Sequence, residues 1–557
     1  MQNSNKRKDN TLNLFLELLK LVKPLTGYMC LAVSAGVIGF LMAIFIPILG
    51  IYAMADIFGF TVPLSFNVLI ILCFTFDALR GFLRYGEQLC NHFIAFTVLA
   101  LLRDKIFSAL RRLAPAKLEN RDKGSLISMV TADVEIMEVF YAHTVSPMII
   151  GGIVSVVMVL FIGSFHWIFG LIALSTYLFV GVFLPLYISK AGRKSGISQR
   201  ESFSKLNDYM YETLKGISEI FQFGVEKQRI DTISKIGSEL KKNQRKLKKY
   251  GFQTSLMNGF AMVFFSALIL IFGGKLYQTG QIDFPSMIIP VIALLSSFGP
   301  VLALSNVANT LLLVSASGKR IIDLINEQPE VDEITNGSDI IFNKLECENI
   351  NFSYQKENIL DGLSLNLEKN KILSINGKSG SGKSTLLKLI MRFWETDSGT
   401  IKISGENINH INTSSLRINQ SYLTQNPILL DDTIAENIRI GNYNADLEDI
   451  KNAAKKASVD EFISKLENGY NTRVGELGDR LSAGEKQRIS LARLFLHDAP
   501  LLLLDEPTSN IDSLNEGIIL KSLKEASVDK TIILVTHRTS TKGIAEEYVD
   551  MSEIRKS

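Results

Sequence analysis

Gly377-Lys378-Ser379-Gly380-Ser381-Gly382-Lys383-Ser384 lies between a strand-like run, Lys371-Ile372-Leu373-Ser374-Ile375, and an apolar helical one that opens at Thr385. A glycine-rich turn between a strand and a helix is the setting that a phosphate-binding loop needs. Its glycines let successive backbone N–H groups approach the phosphates closely, and the helix N-terminus adds its dipole. Lys383 is spaced to reach the β- and γ-phosphates and Ser384 to hold Mg²⁺. The loop from Gly377 to Thr385 is therefore a candidate cradle for a nucleoside triphosphate.

The residues around the loop read the same way. From Ile341 onward, short strands alternate with helices, which argues for a mostly parallel sheet flanked by helices. Leu501-Leu502-Leu503-Leu504-Asp505-Glu506 is a buried strand ending in two carboxylates. Asp505 would be aimed at the Mg²⁺, and Glu506 could polarise an attacking water as general base. Leu481-Ser482-Ala483-Gly484-Glu485 stands shortly upstream.

The rest of the chain has a different composition. Of the 557 residues, 47% are hydrophobic, and the mean hydropathy of +0.20 is high for a soluble protein. The excess lies mostly before residue 315, in runs near 27–50, 66–90, 141–163, 167–189, 254–277 and 286–313, each close to the roughly 20 residues that cross a bilayer. A net charge of +3 gives no reason to expect nucleic acid as a partner. Cys30, Cys73, Cys90 and Cys347 form no CxxC pair, so no disulfide framework or zinc site is indicated. No cleavable signal peptide is evident, because Lys6-Arg7-Lys8 precedes an amphipathic stretch.

Leu12, Phe15, Leu16, Leu19 and Val22 share one helical face before Pro24, as in an interfacial helix. Lys and Arg crowd the connections after the second and fourth spans, with Lys241-Lys242, Arg245-Lys246 and Lys248-Lys249 in the latter. The connections near 51–65, 164–166 and 278–285 are short and nearly free of them. The positive-inside rule then places both termini in the cytoplasm. Helical patterning continues through the basic connections, so spans two to five should project beyond the bilayer as rods. In the second span Arg80, Arg84, Gln88 and His92 recur at i+4 on one face, next to Asp77 and Glu87. Such groups avoid lipid. Two readings are open: Asp77 pairs with Arg80 and Glu87 with Arg84 or a neighbouring helix to hold the bundle, or the face lines a substrate or ligand pocket.

Residues 341–557 resemble the nucleotide-binding domain of an ATP-binding cassette (ABC) transporter. That resemblance implies that Tyr354 stacks on adenine, that Gln425 senses the γ-phosphate and touches Mg²⁺ and the membrane domain, and that His537 is the switch histidine. Leu481–Glu485 resembles the signature motif, with Ala483 and Glu485 in place of the commoner Gly and Gln. Ser482 and Gly484 would contact ATP held by an opposite subunit. Ser509-Asn510-Ile511-Asp512 resembles the loop joining the two sites, and Val474-Gly475-Glu476 the short motif facing the membrane domain of exporters.

Six spans followed by a cassette resemble an exporter-type half-transporter. This implies an interfacial helix at 1–24, an all-α membrane domain at 25–318, a linker at 319–340 and an α/β nucleotide-binding domain at 341–557. It also implies docking helices near Asn120–Asp133 and Lys205–Leu214, and ATP and Mg²⁺ as cofactors. The expected partners are membrane lipid, a small-molecule substrate and a second half-transporter, with a heterodimer preferred over a homodimer. A narrower resemblance, carried by Arg84-Tyr85-Gly86-Glu87-Gln88-Leu89-Cys90-Asn91-His92 and by Leu113-Ala114-Pro115, is to the CydC-type subunit of the heterodimeric transporter needed for cytochrome bd assembly. It implies thiol (cysteine or glutathione) or haem-linked export, with His92 as a haem ligand.

The expectation is thus an ATPase driving a small solute across a bacterial plasma membrane. Peptide, lipid or drug export, or siderophore-type import, are alternatives on the same fold. A non-transporting membrane ATPase regulator is an alternative class. A soluble ABC ATPase acting on DNA or translation is disfavoured by the span lengths and the alternation of charge.

Overall fold

The computed structural model describes residues 13–551 other than 120, 355–356, 509–511, 538–540 and 542, with the side chains of 189, 193, 194 and 305–313 also left aside. The chain divides into two compact units. The first comprises Met1–Arg111 and Arg121–Glu327, the second Arg112–Asn120 and Gln328–Ser557.

In the first unit, residues 13–20 form a short helix, α1, followed by α2 (Thr26–Ile57) and α3 (Phe66–Leu113). In the second unit's early segment lies α4 (Ala116–Glu119). The first unit resumes with α5 (Lys123–Phe165) and with α6, which runs from Trp167–Leu178 through a π turn into Leu184–Lys215. Then come α7 (Ile217–Gln222), α8 (Glu226–Gln278), α9 (Phe284–Ser296) and α10 (Phe298–Asn326). Among the described residues, six helices are long and apolar enough to cross a membrane. The 48 residues of α3 would reach about 72 Å at ~1.5 Å per residue, more than twice the ~30 Å hydrocarbon core. The expected rods are present.

Packing between the helices depends on small residues. A Cβ on Gly170 would lie 2.9 Å from the Cα of Gly163, so α5 and α6 touch backbone to backbone across the turn at His166, as small residues permit in membrane helices. Leu18 of α1 is fully buried, and its carbonyl accepts a hydrogen bond from the Tyr141 hydroxyl at 2.8 Å. A π turn at Met129–Asp133 buries Asp133, which accepts from Ser317 Oγ at 2.8 Å and pairs with Arg320 on α10.

Separate short helices lie beside the two expected docking segments. The short helices are Ala116–Glu119 and Ile217–Gln222; Asn120 lies outside the described residues, and Lys205–Leu214 is interior to α6. The cause is local. Pro115 cannot continue α3, because it lacks an N–H and its ring clashes with the preceding turn, and Gly216 caps α6.

The second unit holds two sheets. Its strands are β1 (Lys344–Tyr354), β2 (Glu357–Glu368), β3 (Ile372–Asn376), β4 (Ser398–Ile403), β5 (Glu406–Asn407), β6 (Gln420–Leu423), β7 (Leu501–Asp505), β8 (Thr531–Val535) and β9 (Glu547–Asp550). The order β6-β7-β8-β3-β9 is parallel, and β2-β1-β4-β5 is a separate antiparallel sheet. The sequence reading anticipated the first and not the second. Helix α11 (Lys383–Ile390) follows β3, α12 (Thr413–Asn419) precedes β6, and α13 (Ala483–His497) precedes β7. Leu386, Leu387, Leu389 and Ile390 of α11 pack with β1–β3 and with Leu501 and Leu503. That burial fixes the loop before α11 over the carboxyl ends of the parallel strands, where ligands bind in open α/β sheets.

Candidate active site

Register in the parallel sheet assembles the site. Tyr422 of β6 pairs with Leu503 of β7, and Asp505 pairs with Val535 of β8. Residues just past these pairs, Gln425, Glu506 and His537, therefore emerge at one edge beside the loop that leaves β3.

Gly377, Gly380 and Gly382 have φ of +156°, +81° and +90°. At Gly382 a Cβ would lie 2.7 Å from Leu360 Cδ2, so the position requires glycine for both conformation and space. Gly382 caps α11 without a side-chain hydrogen bond, which leaves first-turn N–H groups to a ligand. Lys383 Nζ donates to the carbonyls of Gly377 and Lys378, each at 3.0 Å, inside the curve of the loop. Burial lowers the Lys383 pKa, opposed by Glu506 and Asp505. Lys378, Ser379 and Gly380 are exposed at the mouth, while Ser381 and Thr385 are buried beneath it. Ser381 Oγ and Asn376 Oδ1 are buried without a hydrogen-bond partner.

Ser384 Oγ donates to Asp505 Oδ1 at 3.0 Å, and the Tyr422 hydroxyl donates to Asp505 Oδ2 at 3.3 Å. Burial raises the Asp505 pKa, while the two hydroxyl donors pull it down. A serine hydroxyl and a carboxylate at hydrogen-bond distance form the hard-oxygen donor set that Mg²⁺ takes. Glu506 sits at φ +48°, a left-handed conformation uncommon for a side-chain-bearing residue and frequent at functional sites. Gln425 Nε2 donates to Glu506 Oε2 at 2.8 Å, and His537 Nε2 lies 2.8 Å from Glu506 Oε1. The carboxylate is thus held from two sides. Gln425 faces Glu506 in this structure and not the Ser384–Asp505 pair.

Tyr354 ends β1 in an aromatic cluster, edge-on to Phe352 at 4.8 Å and to Trp394 at 5.0 Å. Ser482 caps α13 with Glu485 in a reciprocal pair: Ser482 N donates to Glu485 Oε2 at 2.8 Å, and Glu485 N donates to Ser482 Oγ at 3.4 Å. Gly484 is buried in the first turn. Among the described residues, no hydrogen bond joins Ser482 or Gly484 to the phosphate loop. Residues 509–511 lie outside the described set; Asp512 caps the helix Ser513–Ala526. Sequence reasoning missed Tyr422 and Trp394. The only signal for Tyr422 was its place three residues before Gln425.

In the first unit, Asp77 pairs with Arg80 at 3.0 Å and Glu87 with Arg84 at 2.7 Å, as the first of the two readings expected. Glu87 is 2% exposed and Arg84 50%; Arg84 also covers the Phe40 ring at 5.1 Å. The stripe is internally neutral. Arg84→Leu strands the Glu87 carboxylate in the bundle, which is costly without its counter-charge. The double change Arg84→Leu/Glu87→Leu removes both charges, so the single variant is expected to melt at the lower temperature of the two in detergent. His92 is stacked with Phe96 at 5.9 Å and meets His143 edge-on at 5.5 Å, so two sides of the ring are taken by aromatic neighbours.

Comparison with known proteins gives consistent matches. Residues 360–509 match the family model described as ABC transporter, and residues 27–301 the model described as ABC transporter transmembrane region. A Haemophilus influenzae protein named "Probable ABC transporter ATP-binding/permease protein" is 45% identical over 541 residues, 97% of this chain and 98% of that one. An ATP-dependent lipid A-core flippase of Desulfotalea psychrophila is 31% identical over 471 residues, 83% of this chain and 81% of its own. The solved structure of a bacterial Atm1-family ABC exporter with ATP bound shares the fold, with a TM-score of 0.79 at 22% identity over 95% of this chain and 94% of that one.

Proposed function

The chain belongs to the ABC transporter family as an exporter-type half-transporter with fused membrane and ATP-binding domains, and from that premise we propose that it moves a lipid-like amphipathic cargo out of the leaflet on its cassette side. It is an ATPase coupled to transport, and half-transporters of this fold work as dimers. The supporting observation for the cargo is the face of α3. Its ion pairs Asp77–Arg80 and Arg84–Glu87 have exposed Phe74 and Tyr85 beside them, with exposed Phe82 and Leu89 further round the helix. Arg80 and Arg84 lie about 21 and 27 Å along α3 from its outer end at ~1.5 Å per residue. That depth suits headgroups, and the aromatic neighbours suit acyl chains or rings. The relative named as a lipid A-core flippase favours the same class. Thiol and haem-linked cargo, expected from the narrower resemblance, draws no support from the comparisons.

For the ATP site we propose the following roles. Tyr354 stacks on adenine, and residues 377–385 hold the phosphates. Ser384 and Asp505 hold Mg²⁺, joined by Gln425 once nucleotide is bound; the ion supplies charge neutralisation at the phosphates. Glu506 accepts the proton of the attacking water, oriented by Gln425 and His537. Ser482 and Gly484 close over ATP held by the second subunit. The cassette is cytoplasmic in this reading. The second subunit is another half-transporter; ATP hydrolysis by the chain purified alone would mark it as a second copy, and hydrolysis only with a different half as a heterodimer.

Glu485 stands in this surface as an anion. Glu485→Gln keeps the cap, since glutamine serves at the same position, and removes a negative charge from the place proposed for the partner's γ-phosphate. The apparent KM for ATP is expected to fall roughly threefold, a screened long-range Coulomb effect. The cargo reading is tested in proteoliposomes, with fluorescent lipid amphipaths, glutathione, cysteine and haem supplied in turn. Amphipaths are expected to stimulate hydrolysis and to change leaflet; stimulation by thiols or haem alone would overturn the reading.

A further inference from the structure

The segment carrying α4 belongs to the same unit as the cassette and is tied to it by charge. Lys117 pairs with Glu330 at 2.6 Å, and Glu119 pairs with Lys388 on α11. Lys388 lies four residues past Ser384, on the same helical face. Ser384 Oγ in turn donates to Asp505 Oδ1 at 3.0 Å, and the Tyr422 hydroxyl donates to Asp505 Oδ2. Within the second unit, one charged chain therefore runs from α4 to the helix face that carries Ser384.

We infer that Glu119 is a positioning residue for the ATPase reaction: by neutralising Lys388 it sets the field at Ser384 and Asp505, so that the seating of α4 tunes how tightly a divalent cation is held there. This rests on the reading of Ser384 and Asp505 as the metal ligands. A bare Lys388 repels a doubly charged ion twice as strongly as it supports the single charge of Asp505, so the net effect of losing Glu119 is weaker metal binding. By linkage the coupling is reciprocal, and a bound cation favours the seated α4. The ion pair thus joins the state of the nucleotide site to the segment that follows the second span.

The test is a titration of the full-length transporter in nanodiscs with Mn²⁺, read by electron paramagnetic resonance in the presence of a non-hydrolysable ATP analogue. Glu119→Gln is expected to raise the Mn²⁺ dissociation constant, and Lys388→Gln to lower it, each by roughly two- to fivefold for a partly screened charge. The double neutral variant and the reversed pair Glu119→Lys/Lys388→Glu are expected to return close to wild type. A merely structural contact would move both single variants in the same direction, and that result, or no shift in either, overturns the inference. Asp505→Asn is the control: if it leaves Mn²⁺ binding intact, the metal-ligand reading fails instead. Glu119 lies at the surface with 42% of its side chain exposed, so its variants should fold, and thermal midpoints equal to wild type verify this.

Discussion

Glu506→Gln is expected to stop ATP turnover while leaving nucleotide binding in place. Glutamine has the same size and can occupy the same position, but it cannot accept a proton. Gln425 and His537 grip the carboxylate from two sides at 2.8 Å each, and the backbone is anchored by Glu506 N donating to Val535 O at 3.0 Å. General-base catalysis contributes about a hundredfold to ten-thousandfold, and a loss of that order is predicted for phosphate release at saturating ATP. The measurement needs this chain in both positions, or a different partner whose own site has been silenced. Turnover within about tenfold of wild type, a smaller change than general-base catalysis supplies, would remove Glu506 from the role of base.

Lys383→Ala is expected to act one step earlier, on ATP binding itself. The ammonium sits in the loop on the carbonyls of Gly377 and Lys378, poised to turn toward an anion. A charge-assisted hydrogen bond contributes about 1.5–3 kcal/mol, so ATP affinity should fall roughly 10- to 150-fold. Binding of a fluorescent ATP analogue to the detergent-solubilised protein measures it. The variant should keep its thermal midpoint in the absence of nucleotide, because Lys383 makes no ion pair among the described residues. Equal ATP affinity in Lys383→Ala and wild type would rule out the phosphate role. The two variants are distinguishable: Glu506→Gln separates binding from turnover, and Lys383→Ala removes both.

Much of this molecule can be read locally. The phosphate loop is a run of eight residues whose glycine spacing dictates its backbone, and Gly377, Gly380 and Gly382 have the positive φ that such a loop demands. The six spans follow from the length of apolar runs, and the pairing of Asp77 with Arg80 and of Arg84 with Glu87 follows from i,i+3 spacing on one helix. Interactions within one element are encoded in adjacent residues, so periodicity reveals them.

Other features required the tertiary structure. Tyr422 reaches Asp505 across 83 positions because β6 and β7 pair in a particular register, which no local pattern specifies. Trp394 meets Tyr354 only after β1 and the turn past α11 have packed. The antiparallel sheet joins two local hairpins, β1 with β2 and β4 with β5, through the distant pairing of β1 with β4, which no local pattern specifies; the short helices beside the expected docking segments are set by Pro115 and Gly216, which break helices whose apolar period runs on. The ion pair of Glu119 with Lys388 joins residues 269 positions apart. The sequence by itself determined the phosphate loop, the two carboxylates after β7 and the membrane spans, since each is set by neighbours along the chain. Only the tertiary structure decided which distant groups surround Asp505, because that depends on how strands and helices pack, and packing is a property of the whole core.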